Sequence, residues 1–457
     1  MKDEQQPDLS VLAEDRGIDP ALAGRADAAI RAGLAAGKER KRGRRRTASR
    51  RIHAASAACL LLLVCLVTIR VSPAFASAVR QIPGMASLVD AIRQEYPNDQ
   101  SILDAVDNDY MQKVGLSDEH GGLKFTVEGI VADEFRMNLL YSIQGLRPDE
   151  QVELHDLSLT DGTDRQLQLG YGSSGNVTGQ ADGAKKMENI SVLFSKEEPL
   201  PDKLGVVLTL RGQKYKVAFA VDTGKFAGHS RSVPMDYTLE AAGQKIIFER
   251  AVISPLTIKI EARFAKSNTM KIFGGGDMKL VDDTGKEWSV PSMSSGTNDP
   301  DRTVFTFQSS YFRKPQALYL TGTWLRALDK GKNEIVIDTE KGLLLKAPDD
   351  KVTLLEATES GGELQLRFNL DTGRKDDNMS YNLLDGAFMD GSGSWHEGKE
   401  LASSVSANSD ETNQTLAFKY KAGAYKQPLT FPIGNYPNYI DRPYRIPISL
   451  SGVWDQD

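Results

Sequence analysis

Cysteine is nearly absent. Cys59 and Cys65 are the only two in 457 residues, so nothing beyond residue 65 can be stapled by a disulfide or bind metal through thiolates. Histidine is scarce as well. His53, His120, His155, His229 and His396 are the full set; none pair at metal-ligand spacing and no H-E-x-x-H occurs. There is no G-x-S-x-G elbow and no P-loop. The glycine-rich residues 273–277 (FGGGD) lead into a strand pattern, not a helix, and so lack the helix N-terminus that cradles phosphate. Carboxylates are plentiful, but they sit in turns such as Asp161 and Asp282-Asp283, where bonds to nearby backbone account for them. These absences predict a protein with no catalytic residues, no metal and no cofactor.

Long apolar runs are absent too, with one exception. Residues 54–69 (AASAACLLLLVCLVTI) are continuously apolar or small, and Lys38, Arg40, Lys41, Arg42, Arg44, Arg45, Arg46, Arg50 and Arg51 precede them. A hydrocarbon stretch behind a dense positive block predicts membrane insertion with the basic side in the cytoplasm. Sixteen helical residues reach about 24 Å, slightly short of a core of about 30 Å. Arg70 can snorkel, and the apolar residues after it extend the span to about residue 78. A cleaved signal peptide is the rival reading, because Ala74-Phe75-Ala76 is a small-x-small site and Ala76 would end it. The preceding fifty residues are far longer than an ordinary n-region, which favours the uncleaved anchor. The expected placement is a single-pass cell-membrane protein, N-terminus cytoplasmic, the rest extracytoplasmic.

Charge is split across that divide. Residues 1–53 hold 13 basic and 8 acidic residues, a net of +5, which leaves −11 of the total −6 for the remainder. An acidic outer part argues against nucleic acid as a partner. The basic block beside a span serves orientation and contact with anionic membrane lipid. Within the tail, Asp19-Pro20 starts a helical pattern in which Leu22, Ala26, Ile30 and Leu34 recur at steps of four. Such a narrow stripe cannot build a core alone. It fits a partner's groove or remains a solvated linker.

Beyond the span, residues 79–116 predict a helical neck, with apolar positions Leu88, Val89 and Ile92, then Ile102, Leu103, Val106 and Tyr110, around a Pro97-Asn98-Asp99 break. The rest alternates with period two between glycine and Asp-Gly turns, the pattern of strands. It also repeats. A strand pair opens near Leu123, Gln244 and Asp350, and each first strand carries an apolar residue followed by glutamate: Val127-Glu128, Phe248-Glu249 and Leu355-Glu356. A solvent-facing strand position accounts for these glutamates. Acidic turns at Asp161, Asp282 and Asp385 follow, with Trp288 and Trp395 after the second and third. Glycine-bearing strands close the units: Leu210-Arg211-Gly212, LTGTW at 320–324 and LSGVW at 450–454. Trp324 and Trp454 read as core or junction residues. Units of about 110 residues with some seven strands predict a mainly β chain of three tandem immunoglobulin-like sandwiches, at 117–230, 231–345 and 346–457.

The stretch from Thr68 to Ile92, the A-V-x-N-x-Y-like helix at 105–110 and the strand pair after it resemble the bacterial domain-of-unknown-function 4179 family. Members are single-span proteins commonly encoded beside an extracytoplasmic-function sigma factor, and some are described as anti-sigma factors. The resemblance implies a sigma factor as partner for residues 1–50 and an external ligand or envelope signal for the sandwiches. It supplies no catalytic residue. The alternative is a structural or adhesive surface protein in which the tail only sets orientation.

Overall fold

The computed structural model describes Ala28 and, with short gaps, residues 85–454. The chain divides into two compact parts, Met1–Pro83 and Gly84–Asp457. The expected span at 54–78, the stripe Leu22, Ala26, Ile30 and Leu34, and the Ala76 site all lie outside the described residues. Among the described residues no helix is long and apolar enough to cross a membrane. The second part is mainly β and contains several sheets.

Two helices come first, α1 (Met85–Glu95) and α2 (Gln100–Asp107). The first lobe follows with β1 (Gln112–His120), β2 (Leu123–Ala132), β3 (Arg136–Gln144), β4 (Gln151–Glu153), β5 (Ser158–Thr160), β6 (Gly170–Ser173), β7 (Asn176–Thr178), β8 (Met187–Leu193), β9 (Lys203–Leu210) and β10 (Gln213–Ala220). Its main sheets run β1-β2-β3-β8-β6 and β10-β9-β5, and β4 pairs with β7. Strict alternation shows best in β10, where Tyr215, Val217 and Phe219 are buried and the residues between them exposed. The inward rows of both sheets meet in one core. Leu88 and Ile92 of α1 and Ile102, Ala105 and Val106 of α2 belong to that core. The expected neck is therefore packed into the first lobe, and its last residues already form β1.

A short helix α3 (Thr223–Phe226) leads to the second lobe: β11 (Arg231–Ala241), β12 (Gln244–Ile253), β13 (Thr257–Phe264), β14 (Met270–Gly274), β15 (Lys279–Asp282), β16 (Glu287–Trp288), β17 (Ser295–Gly296), β18 (Arg302–Gln308) and β19 (Leu318–Asp329). One sheet runs β11-β12-β13-β18-β17 and the other β14-β19-β15-β16. The third lobe holds β20 (Glu334–Asp338), β21 (Leu343–Lys346), β22 (Val352–Ser360), β23 (Glu363–Asp371), β24 (Phe388–Met389), β25 (Trp395–His396), β26 (Ala402–Ala407), β27 (Asn413–Lys421) and β28 (Leu429–Pro432). Its sheets run β21-β20-β28-β24-β25 and β22-β23-β27-β26. The last strand, β29 (Tyr439–Ile448), then returns to the second lobe and pairs antiparallel with β19, from Leu318↔Ile448 to Arg326↔Tyr439.

The sheets thus cross the expected boundary between 345 and 346. β20 and β21 belong to the third lobe, while β29 places Ile440, Tyr444, Ile446 and Ile448 in the core of the second. The third lobe is an insertion between β19 and β29. The likeness of LTGTW to LSGVW suggested two equivalent closing strands. In the fold the second motif falls in the turn after β29, whose own residues lie against the first.

The repeat is real at the level of backbone irregularities. Each opening strand carries a one-residue bulge: Glu128 in β2, Glu249 in β12 and Leu355 in β22 are skipped in the pairing with the next strand. In the first two lobes the preceding strand covers the same bulge with its own irregularity, between Lys113 and Leu116 in β1 and between Pro234 and Tyr237 in β11. Gly115 and Asp236 take left-handed conformations there. Glu249 pairs with Arg263 at 3.0 Å and Arg302 at 3.1 Å, and Glu356 with Arg367 at 3.3 Å. Glu128 departs from the solvent-facing expectation. It is buried and accepts from Ser142 Oγ at 2.5 Å.

Candidate functional site

Pro97-Asn98-Asp99 breaks the chain between α1 and α2, and Asp99 caps α2. Its carboxylate accepts from Ile102 N at 3.2 Å and from Ser101 Oγ at 2.6 Å. The same carboxylate takes Arg136 Nη1 at 2.7 Å. Arg136 opens β3 and is 4% exposed. Its Nη2 reaches Ser101 Oγ at 2.5 Å and then the Leu256 carbonyl of the second lobe at 2.9 Å. One guanidinium therefore ties the helices, the first lobe and the second lobe together. Burial alone would push Asp99 up, yet the Arg136 charge and the bonds from Arg136, Ser101 and Ile102 hold it below its ordinary value. Burial alone would lower Arg136, but the Asp99 charge, the hydrogen bond to Asp99 and the Asp133 charge together raise it.

Asp133 works beside it. Its Oδ1 accepts from Phe135 N and Arg136 N, both at 2.8 Å, closing the β2–β3 turn. Its Oδ2 accepts from Ser254 Oγ at 2.5 Å and Leu256 N at 2.9 Å in the β12–β13 turn. Two further ties run from α2 to the second lobe. Arg313 grips Asp104 through two nitrogens, at 2.6 and 2.8 Å. Gln308 donates to the Asn98 carbonyl at 2.9 Å and accepts from Gln100 N at 3.1 Å. Tyr110, just past α2, packs its ring on Phe226, His229 and Phe312.

A second buried cluster joins the second and third lobes. Arg326 of β19 donates Nε to Asp377 at 3.0 Å and to Tyr381 Oη at 3.1 Å. Asp377 also accepts from Tyr381 Oη at 2.5 Å and from Tyr439 Oη of β29 at 2.8 Å. Burial opposes the charge on Asp377, but these donors keep its carboxyl below the ordinary value. Trp324 lies fully buried here, with Arg374 4.6 Å and Arg326 4.8 Å from its ring. The glycine-rich loop is its lid: a Cβ on Gly276 would stand 1.8 Å from the indole.

The turn carboxylates hold turns. Asp161 accepts from Thr163 N, Asp282 from Thr284 N and Lys286 N, and Asp390 from Ser392 N and Ser394 N. In the third lobe this role falls to Asp390, not Asp385. His396 then stands six residues on, as Trp288 does from Asp282. His396 stacks on Phe388, while Trp395 is 62% exposed. Among the described residues no group of three or more His, Cys, Asp or Glu is placed to hold a metal. The predicted partner stripe and cleavage site are not part of the described geometry. Sequence reasoning missed Arg136, Asp133, Asp104 and Arg313. Only Asp99 had a visible signal, as a helix cap after a Pro-Asn break.

Residues 46–145 match the family model "Domain of unknown function (DUF4179)". This segment is similar to the DUF4179 family. It takes in α1, α2 and β1 to β3, so the Asp99–Arg136 pair and Asp133 lie inside the DUF4179 segment. Residues 230–358 match "Family of unknown function (DUF5643)", which runs from the start of the second lobe into β22. No curated protein matches the chain. Among solved structures, "the conserved domain protein from Bacillus anthracis" is similar at 17% identity and a TM-score of 0.35, over 52% of this chain and 84% of that one.

Proposed function

We propose that this chain is a membrane-anchored extracytoplasmic protein of immunoglobulin-like sandwiches that couples an envelope signal to a cytoplasmic sigma factor held by residues 1–50. The apolar run behind nine basic residues supports the anchoring, and the DUF4179 match is in keeping with the family resemblance from which the sigma-factor role is drawn. The carrying observation is the neck. The first described helices after the apolar run are not a loose stalk; the buried Asp99–Arg136 pair, the partly exposed Asp104–Arg313 pair and side-chain bonds fasten them to two lobes at once. A ligand that shifts those lobes against each other must strain or release α2.

Co-purification of the full chain with an extracytoplasmic-function sigma factor of the same cell, with and without residues 1–37, tests the reading. Binding lost on removal of the tail, together with raised sigma-dependent transcription, is expected. Equal binding without the tail, or unchanged transcription in a deletion strain, would overturn it and favour a surface-binding role.

A further inference from the structure

Among the described residues the third lobe shows no counterpart of a strand that the other two possess. β1 covers the outer edge of β2, and β11 covers that of β12. The equivalent β22 ends its sheet, and among the described residues no strand pairs with its outer side. The chain that precedes it, β21, has gone to the opposite sheet instead. The difference is visible in burial. β2 is buried nearly throughout, whereas β22 is mostly half-buried or exposed. Leu355 is 53% exposed, and on neighbouring β21 Leu343 and Leu345 are 49% and 53% exposed. Half of the large exposed apolar side chains among the described residues therefore lie on this one side. A nine-residue open edge with apolar residues is a template for strand addition.

We propose that β22 pairs with β22 of a second copy of this chain, antiparallel and centred on Leu355. That register sets Leu355 against Leu355 and Thr353 against Ala357. It also places Lys351 of each copy opposite Glu359 of the other, so charge is complementary at both ends; the Lys351 ammonium, which donates to the Pro437 carbonyl at 2.6 Å within the chain, would turn to that carboxylate on pairing. The bulges meet at the centre. This follows the arrangement inside the chain, where the irregular segments of β1 and β11 face the bulges at Glu128 and Glu249. Two four-stranded sheets would become one continuous sheet through a two-fold, self-complementary contact.

The test uses the full chain with Cys59 and Cys65 changed to alanine. Leu355→Cys is expected to give an intermolecular disulfide under mild oxidation at least tenfold faster than Leu116→Cys, an exposed leucine on β1. Glu359→Lys, which sets two lysines opposite each other, is expected to weaken self-association at least tenfold by sedimentation, and adding Lys351→Glu to restore it. A monomer at all concentrations, equal cross-linking at 355 and 116, or no rescue by the charge swap would overturn the proposal. Cross-linking of Leu355→Cys only to a different protein would do so as well.

Discussion

Removing Arg136 tests the neck most directly. In Arg136→Met the aliphatic stem stays, but Asp99, Ser101 and the Leu256 carbonyl lose their shared donor. Breaking one side of a buried ion pair costs about 3–5 kcal/mol, against about 0–1 for an exposed pair. Because Arg136 is 4% exposed, the higher range applies. Hydrogen exchange over α2 reads this locally, and amides there should open about two to nearly four orders of magnitude more often. Asp99→Asn added to Arg136→Met should recover at least half the loss, since asparagine still caps the helix and carries no charge at position 99. The pH dependence carries a sign. With its folded value depressed, Asp99 contributes stability above its unfolded value of about 4, and this is lost as pH falls through the folded one. Without Arg136 the folded value rises, so the acid-linked loss shrinks. A cost below about 1 kcal/mol, no recovery in the double variant, or an unchanged acid limb would refute the reasoning.

Two more outcomes follow from packing. Trp288→Ala should cost about 3–5 kcal/mol and Trp395→Ala less than about 0.5 in urea denaturation; similar costs would contradict the different places of the two rings. Gly276→Ala forces a methyl into the Trp324 ring and should cost about 1–3 kcal/mol, while Gly224→Ala meets nothing closer than 3.4 Å and should cost less; equal melting temperatures would count against the lid role of the loop.

The β character and the threefold repeat were legible because alternation and turn chemistry are local. Tyr215, Val217 and Phe219 announce their strand without help from the rest of the chain. The bulges were half legible: the recurring apolar-Glu pairs marked the right place but not the backbone slip. In the third repeat the slip falls on Leu355 rather than on the glutamate. The match of Trp288 to Trp395 is off by one residue: His396, not Trp395, stands where Trp288 does, and in a strand a shift of one residue exchanges faces. The path of β29 had no local signature at all. Its partner lies over 100 residues earlier, and nothing in its own pattern names which lobe it completes. Arg313 and Asp104, separated by 209 residues, are hidden for the same reason.

The insertion of the third lobe fixes an order of events. A chain emerging N-terminus first can close the first lobe, and later the third, before the second has all its strands. The second must wait, its β19 flank open, until residues 439–448 arrive. That late lobe is the one presenting Ser254 and Leu256 to Asp133 and Arg136 of the first lobe, and Gln308 and Arg313 to the helical neck. The grip on the neck therefore matures only once β29 is in place. A product cut short ahead of β29 would carry an intact beginning and an unfinished clasp.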